Sequence, residues 1–255
     1  MNLLMTANRA LFDLYDFKHQ PIMLGELLAR ANKGHLLNID SNAKTVKGQK
    51  YGYITGILYL SPSNLLGPNL CPFASEGCKK ACLNTAGRGQ QYGVQRARAV
   101  KTLAYLMFPA VFVQSLDKDI KRLIRRADKL GVKSCVRLNG TSDLLWSVKH
   151  PELFDNATQF YDYTKSPVLL KARRPANYHL TYSYSDDPKS QTRASQALES
   201  GTNVAIVFRK VPKQHEGRPV VVGDESDLRF LDRPGVIVGL TAKGRAKQDT
   251  TGFVQ

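Results

Sequence analysis

The residues best suited to chemistry are three cysteines in one segment, Cys71-Pro-Phe-Ala-Ser-Glu-Gly-Cys78-Lys-Lys-Ala-Cys82, out of four in the chain. Spacings of six and three intervening residues put three soft thiolates within reach of one ion or cluster, the donor set of Zn2+ or of a 4Fe-4S cluster. Pro72 restricts φ and Gly77 tolerates positive φ, so the backbone between them can wrap round a metal. The alternative is three unrelated thiols packed as small hydrophobes. A disulfide with a spare thiol fits less well. Residues 1–15 carry no secretory pattern, and thiols in a cytoplasm stay reduced. His215, expected in a loop after a strand, is the candidate fourth metal ligand. Cys135 opens a strand and is expected in the core, and His179 begins a strand at the wrong end.

Carboxylates form the second group of candidates. Asp162 lies inside the apolar Phe160-Tyr-Asp-Tyr163 stretch, where an unpaired carboxylate is costly. Lys165 nearby makes it either a structural ion pair or a poised nucleophile or base. Asp224 and Asp227 follow the Val220-Val-Val-Gly223 run, and paired acids there suit acid–base or nucleophilic work. Asp143, closing Asn139-Gly-Thr-Ser-Asp143, is a catalytic candidate or a helix cap, and Asp186 and Asp187 before Pro188 read as caps or functional acids alike. Among the cations, Arg88, Arg96, Arg98, Lys165, Lys243 and Arg245 are the expected nucleic-acid contacts.

The 37 basic residues outnumber 21 acidic ones, a net charge of +16 that raises affinity for polyanions through counterion release. Double-stranded DNA is the expected partner. The charge clusters at 44–50, 79–101, 118–133, 165–174 and 243–247, part of the third cluster being the solvated face of a helix. No window approaches the ~18 uninterrupted apolar residues of a membrane span, so no membrane partner is expected, and the expected location is a bacterial cytoplasm.

The elements that must position these groups alternate. Strands are expected at 35–40, 51–60, 134–138, 158–163, 178–184, 203–208, 219–222 and 236–240. Helical spacing appears at 3–14, 23–31, 90–108 and 111–130, with shorter stretches from 144, after Pro167 and up to Glu199; 42–49 reads as a polar loop. Strand–helix alternation implies a parallel sheet, and eight strands close an irregular (β/α)8 TIM-like barrel. An open parallel α/β sheet is the rival, weakened by the absence of a glycine-rich dinucleotide fingerprint or Walker loop. The reading is one α/β domain over 1–255, with an N-terminal helical segment at about 1–34 and a cysteine-rich metal loop at about 67–89. In either architecture chemistry collects at the carboxyl ends of the strands, where barrels also hold phosphate after the last strand, here at Lys243-Gly-Arg245.

Asn69-Leu-Cys-Pro72, Gly77-Cys78, Cys82-Leu83 and Gly87-Arg88-Gly89 resemble a phage family named only as gene product 88. So do Arg137-Leu-Asn-Gly-Thr-Ser-Asp143, Tyr161-Asp-Tyr-Thr-Lys165, Asp224 to Phe230 and Gly239 to Gly244. The resemblance implies a phage or prophage protein and carries no chemistry. More distantly, the chain is similar to queuine-type tRNA-guanine transglycosylases and their phage DNA counterparts. That resemblance implies a basic (β/α)8 barrel, an Asp nucleophile, a second Asp that handles the base, and a structural zinc on three Cys and one His.

Three functions stand as expectations. The first is base exchange, in which guanine in DNA is replaced by a small-molecule 7-deazaguanine. Asp224 or Asp162 attacks C1′ of a flipped-out nucleotide, and Lys165, Lys243 and Arg245 hold phosphates. The second is a radical-type iron–sulfur enzyme in which three cysteines leave one iron free for S-adenosylmethionine. The third is a zinc-stabilised nucleic-acid-binding module, its acids serving as caps and ion pairs.

Overall fold

Alternating apolar runs pair side by side into one nine-stranded sheet in a computed structural model that describes residues 16–17, 20–39, 43–63 and 65–255. The strands are β1 (Leu37–Ile39), β2 (Tyr53–Leu58), β3 (Lys133–Arg137), β4 (Gln159–Thr164), β5 (Tyr178–Ser183), β6 (Asn203–Phe208), β7 (Gln214–His215), β8 (Arg218–Val222) and β9 (Ile237–Thr241). Their hydrogen-bonded order is β1-β2-β3-β4-β5-β6-β9-β8-β7. From β2 through β8 in that order every neighbouring pair is parallel. The two outermost strands, β1 and β7, run antiparallel to their neighbours. The expected mostly parallel α/β sheet therefore forms, and all eight expected strands are in it. Three details differ. Strand β1 is antiparallel, β7 is an additional two-residue strand carrying His215, and residues 43–49 form a short helix instead of a loop. The helix expected at 3–14 lies outside the described residues.

Helices α1 (Leu24–Lys33), α2 (Ala43–Gln49), α3 (Glu76–Lys80), α4 (Tyr92–Met107), α5 (Pro109–Lys129), α6 (Trp146–Lys149), α7 (Pro167–Lys171) and α8 (Ser190–Glu199) fill the connections. Helix α5 shows how sequence sets local structure. Pro109 starts it, where the missing N–H costs nothing. Phe112, Leu116, Ile120, Leu123 and Ala127 form one buried stripe. Gly131 ends it at φ 65°, with Val132 N–H bonded to the Ala127 carbonyl at 3.1 Å and Gly131 N–H to Asp128 at 3.1 Å, a Schellman motif.

One face of the sheet is covered by α1, α4 and α5. Leu27, Leu103, Leu116, Ile120, Val136, Phe160 and Leu180 belong to that main core. On the opposite face, Tyr53, Cys135 and Tyr161 are covered by Leu228 and Phe230, from the segment that follows β8 at the far side of the sheet. The Tyr53 and Tyr161 rings lie 5.0 and 5.5 Å from Phe230. The sheet thus curls round residues 227–230. The same segment accounts for α2, whose Gly48 packs against Leu228, a contact invisible in its polar sequence. No helix among the described residues is long and apolar enough to cross a membrane.

The α1–β1 connection is pinned by a carboxylate on α5. Asp119, 3% exposed, accepts from Leu36 N–H at 2.6 Å, His35 N–H at 3.2 Å and Arg122 at 2.7 Å. Replacing Asp119 with Ala strands these amides in a dry site. It is expected to destabilise the chain by about 3 kcal/mol in denaturant unfolding. A change below about 1 kcal/mol would show that water replaces the carboxylate.

Candidate functional site

Loops from the carboxyl ends of the parallel strands converge on a cavity of about 410 Å³. Cys71, Cys78 and Cys82 enter from the segment after β2, Asn139 to Asp143 from the turn after β3, and Lys165 from the end of β4. Ser183 ends β5, Asp224 and Asp227 follow β8, and Lys243 follows β9.

The cysteine segment is held at both ends. Cys71 N–H donates to Asn69 Oδ1 at 2.8 Å, and Cys71 Sγ lies 3.6 Å from the Thr141 carbonyl. Cys78 sits on α3, capped by Ser75, whose Oγ accepts from Cys78 N–H at 3.2 Å and donates to Asp186. Asp186 also accepts from Gly77 N–H at 3.0 Å, so a loop after β5 docks the cysteine helix. Gly77 is required there. A Cβ would come within 2.6 Å of both Asp186 Oδ1 and Phe253 Cβ. Beyond Cys82, Asn84 is buried and accepts from Arg98, whose guanidinium lies 5.1 Å from the Tyr59 ring.

The β3 and β4 loops are cross-braced by buried carboxylates. Asp143 accepts from Thr164 Oγ1 at 2.7 Å and Lys165 N–H at 2.8 Å. Asp162 accepts from Asn139 N–H at 2.7 Å and the Tyr178 hydroxyl at 3.0 Å. Asn139 Oδ1 in turn accepts from Ser142 Oγ and Leu144 N–H, both at 2.9 Å. Asp227 accepts from Arg137 at 3.0 Å and lies 3.4 Å from the Tyr161 hydroxyl. Lys165 Nζ donates to Ser183 Oγ at 2.6 Å.

Burial sets the proton affinities. It pushes the Cys71 thiol up to about 12 and raises Cys82, against which Arg98 and Lys165 act as nearby cations. It raises Asp143, and it lifts Asp162 to about 7 despite Arg137 and two hydrogen bonds. Burial would also raise Asp224, but Lys243 at 2.5 Å and Thr241 N–H at 2.8 Å outweigh it and hold the carboxyl at about 2.

Of the residues singled out in the sequence, the structure brings Cys71, Cys78, Cys82, Asp143, Asp224, Asp227, Lys165 and Lys243 to one cavity. It does not bring the others to that wall. Asp162 is 1% exposed beneath the β3 turn, a brace for Asn139. His215 lies on edge strand β7 with its ring 5.2 Å from Phe208, and does not join the cysteines as fourth ligand. Arg96 is paired in a fork with Glu26 at 2.6 and 2.8 Å, and Arg98 is buried under the cysteine segment, so neither is an open phosphate contact. Arg88 and Arg245 are exposed outside the lining. Cys135 is in the core as expected, 3.2 Å from Thr55 Oγ1. Arg137, Tyr163 and Ser183 line the cavity without having been singled out. The alternation of β4 was the available signal for Tyr163, since Tyr161 and Tyr163 share a face.

The donor set can be tested against a metal or cluster. Among the described residues no three His, Cys, Asp or Glu side chains stand gathered as a metal-binding group. All three cysteines nevertheless line one cavity, with cations near Cys82, and among the described residues no His or further Cys is in that lining. Both oxygens of Asp143, the carboxylate nearest Cys71 in its electrostatic surroundings, are already bonded. Three cysteines with no fourth Cys or His donor among the described residues of the lining match the three-cysteine donor set of a cluster with one open position, and they do not complete a closed four-ligand zinc site.

Residues 30–255 match the family model described as Gene product 88. No curated protein and no solved structure matches the chain.

Two outcomes are expected. Gly77→Ala should loosen α3 from Asp186 and Phe253 and cost about 2 kcal/mol of stability, with altered thiol reactivity at Cys78; unchanged stability would mean α3 is not docked this way. Asp162, raised from 3.8 to about 7, keeps in the folded chain a proton that the unfolded chain loses, so its contribution to stability falls as pH rises from about 4 to 7. Asp162→Asn removes this slope, so the mutant's stability relative to the parent should climb across that window. Parallel unfolding-free-energy curves would contradict it.

Proposed function

The chain belongs to the Gene product 88 family, and from the geometry of its cavity we propose that it is a radical-type iron–sulfur enzyme. The observation that carries the reading is the placement of Cys71, Cys78 and Cys82 on the wall of the cavity at the carboxyl ends of the parallel strands. A structural zinc would not need to face such a cavity. In this reading the curled sheet is an irregular, incompletely closed form of the (β/α)8 barrel. Cys71, Cys78 and Cys82 would hold a 4Fe-4S cluster. When bound and reduced by an external electron donor, such a cluster would supply the one electron that breaks a C–S bond of S-adenosylmethionine, releasing methionine and leaving the adenosyl carbon able to take a hydrogen atom from substrate.

The chain's own residues do the rest. Asp186 and Ser75 fix α3, and with it Cys78, against the β5 loop. Arg98 and Lys165 favour the thiolate form of Cys82. Asp143 holds the Lys165 backbone so that its ammonium is delivered to the cavity beside Ser183. Asp224 stays ionised against Lys243.

A second reading, base exchange on DNA, is favoured by that same ionised Asp224 at the cavity, a carboxylate able to attack a sugar carbon. It retains zinc as the expected metal and a 7-deazaguanine as co-substrate.

The deciding measurement is iron, acid-labile sulfide and zinc in full-length protein purified without oxygen, with the visible and electron-spin spectra. About four irons with sulfide per chain are expected, lost in Cys71→Ala, Cys78→Ala or Cys82→Ala and kept in Cys135→Ala. One zinc without iron would overturn the proposal in favour of base exchange, and protein without metal would overturn it outright.

A further inference from the structure

Exposed cations gather at the mouth of the cavity on two elements distant in sequence. The 3-10 turn at Leu83–Thr85 packs against the one at Gly244–Gln248, and a Cβ on Gly244 would lie 2.8 Å from the Cβ of Ala86, which leads into the Gly87–Gln90 turn. Buried Ala246 anchors the second turn beside Ala81 and Phe253. This docking brings together the turns that carry exposed Arg88 and exposed Arg245 and Lys247, beside the lining residues Thr85, Lys243 and Ala246. Lys80 on α3 is also exposed, and Lys79 and Lys243 reach the lining itself. The rim acids Glu76 and Asp224 are each engaged by one of those two lysines, at 2.7 and 2.5 Å. The other four cations are therefore surplus. Further in, Lys165 is 8% exposed, held by Ser183 at 2.6 Å and 5.5 Å from the Phe253 ring.

We infer that the substrate of this cavity is a nucleic-acid strand, with successive phosphates on the rim at Arg88, Arg245 and Lys247 and one nucleotide inside beside Lys165. The inference rests on the reading of the cavity as catalytic. A phosphodiester chain suits the layout because it carries many charges, and exposed cations on two adjoining turns accompany the buried Lys165 of the lining. A cavity of about 410 Å³ with Tyr163 and Phe253 in its wall has room for a planar base. An anionic membrane would ask for a flat basic face, and here the cations surround a concave mouth. The net charge of +16 draws such a strand from a distance.

The test is fluorescence anisotropy of full-length protein with a labelled 20-nucleotide single strand of DNA, its duplex and the RNA of the same sequence, at several salt concentrations. At least one should bind, with affinity falling as salt rises. The triple variant Arg88→Glu, Arg245→Glu, Lys247→Glu should weaken that binding about tenfold or more and reduce the salt slope by about 2–3. A control with the same charge change on the outer face of α5, Lys118→Glu, Arg125→Glu, Lys129→Glu, should keep most of the affinity. Lys165→Met should weaken binding while retaining the folded circular-dichroism spectrum. Whichever strand binds in this rim-dependent way is the supported substrate class. The inference is overturned if the control loses as much as the rim variant, if no strand binds more tightly than about 100 µM at 50 mM salt, or if anionic vesicles bind with the same rim dependence. Binding does not require the cluster, so rim-dependent binding by iron-free protein would keep this inference and remove the iron–sulfur reading.

Discussion

Carboxylates that reach from one loop to the backbone of the next hold the cavity together. Asp162 takes the N–H of Asn139, Asp143 that of Lys165, and Asp186 that of Gly77. Asp119 does the same for Leu36 at the other end of the helical layer. A carboxyl oxygen is a good acceptor for a backbone N–H, and burial raises both the strength of that bond and the cost of leaving it unmade. A loop fixed this way cannot drift without leaving a buried polar group unsatisfied. Because each brace spans two loops, the β2, β3, β4 and β5 connections form a single frame, and the three thiols are carried by it.

The interior and the rim differ in charge balance. Inside, cations meet acids: Arg137 faces Asp227, and Lys165 lies near the doubly bonded Asp143. Outside, basic residues are in surplus. The interior pairs fix side-chain positions in low dielectric, where a lone charge would be costly. The rim surplus costs little because water screens it, and it acts on partners at a distance. Arg96 and Arg98 show the difference. Both are nucleic-acid candidates by sequence, but one is spent on Glu26 and the other supports Asn84 under the cysteine segment.

What could be read in advance followed from local patterns. The eight expected strands are runs of β-branched and aromatic residues between turn signals, and each formed within a few residues of its expected place. The placing of Cys71, Cys78, Cys82, Asp143, Asp224, Asp227, Lys165 and Lys243 on one cavity at the carboxyl ends agrees with the rule that parallel sheets work at that end. Where the reading went astray, the deciding contact was distant. Residues 43–49 are polar, yet Leu228 packs on Gly48 and a helix forms. His215 follows a strand, yet it pairs in β7 at the sheet edge.

By itself, then, the sequence determined the elements, their parallel alternation, the thiol cluster and the basic surplus, because each depends on periodicity, spacing or composition within a short stretch. Only the tertiary structure decided that β1 runs antiparallel, that Asp162 braces a turn while Asp143 and Asp227 line the cavity, and that residues 227–230 cover the inner face of β3 and β4. Those outcomes depend on which groups meet across 20 to 110 residues of chain, as Asp162 with Asn139, Arg137 with Asp227 and Asp186 with Gly77 do. A carboxylate is the same letter whether it is a nucleophile, an ion pair or a clamp on a backbone amide. Its partners assign the role, and folding chooses the partners.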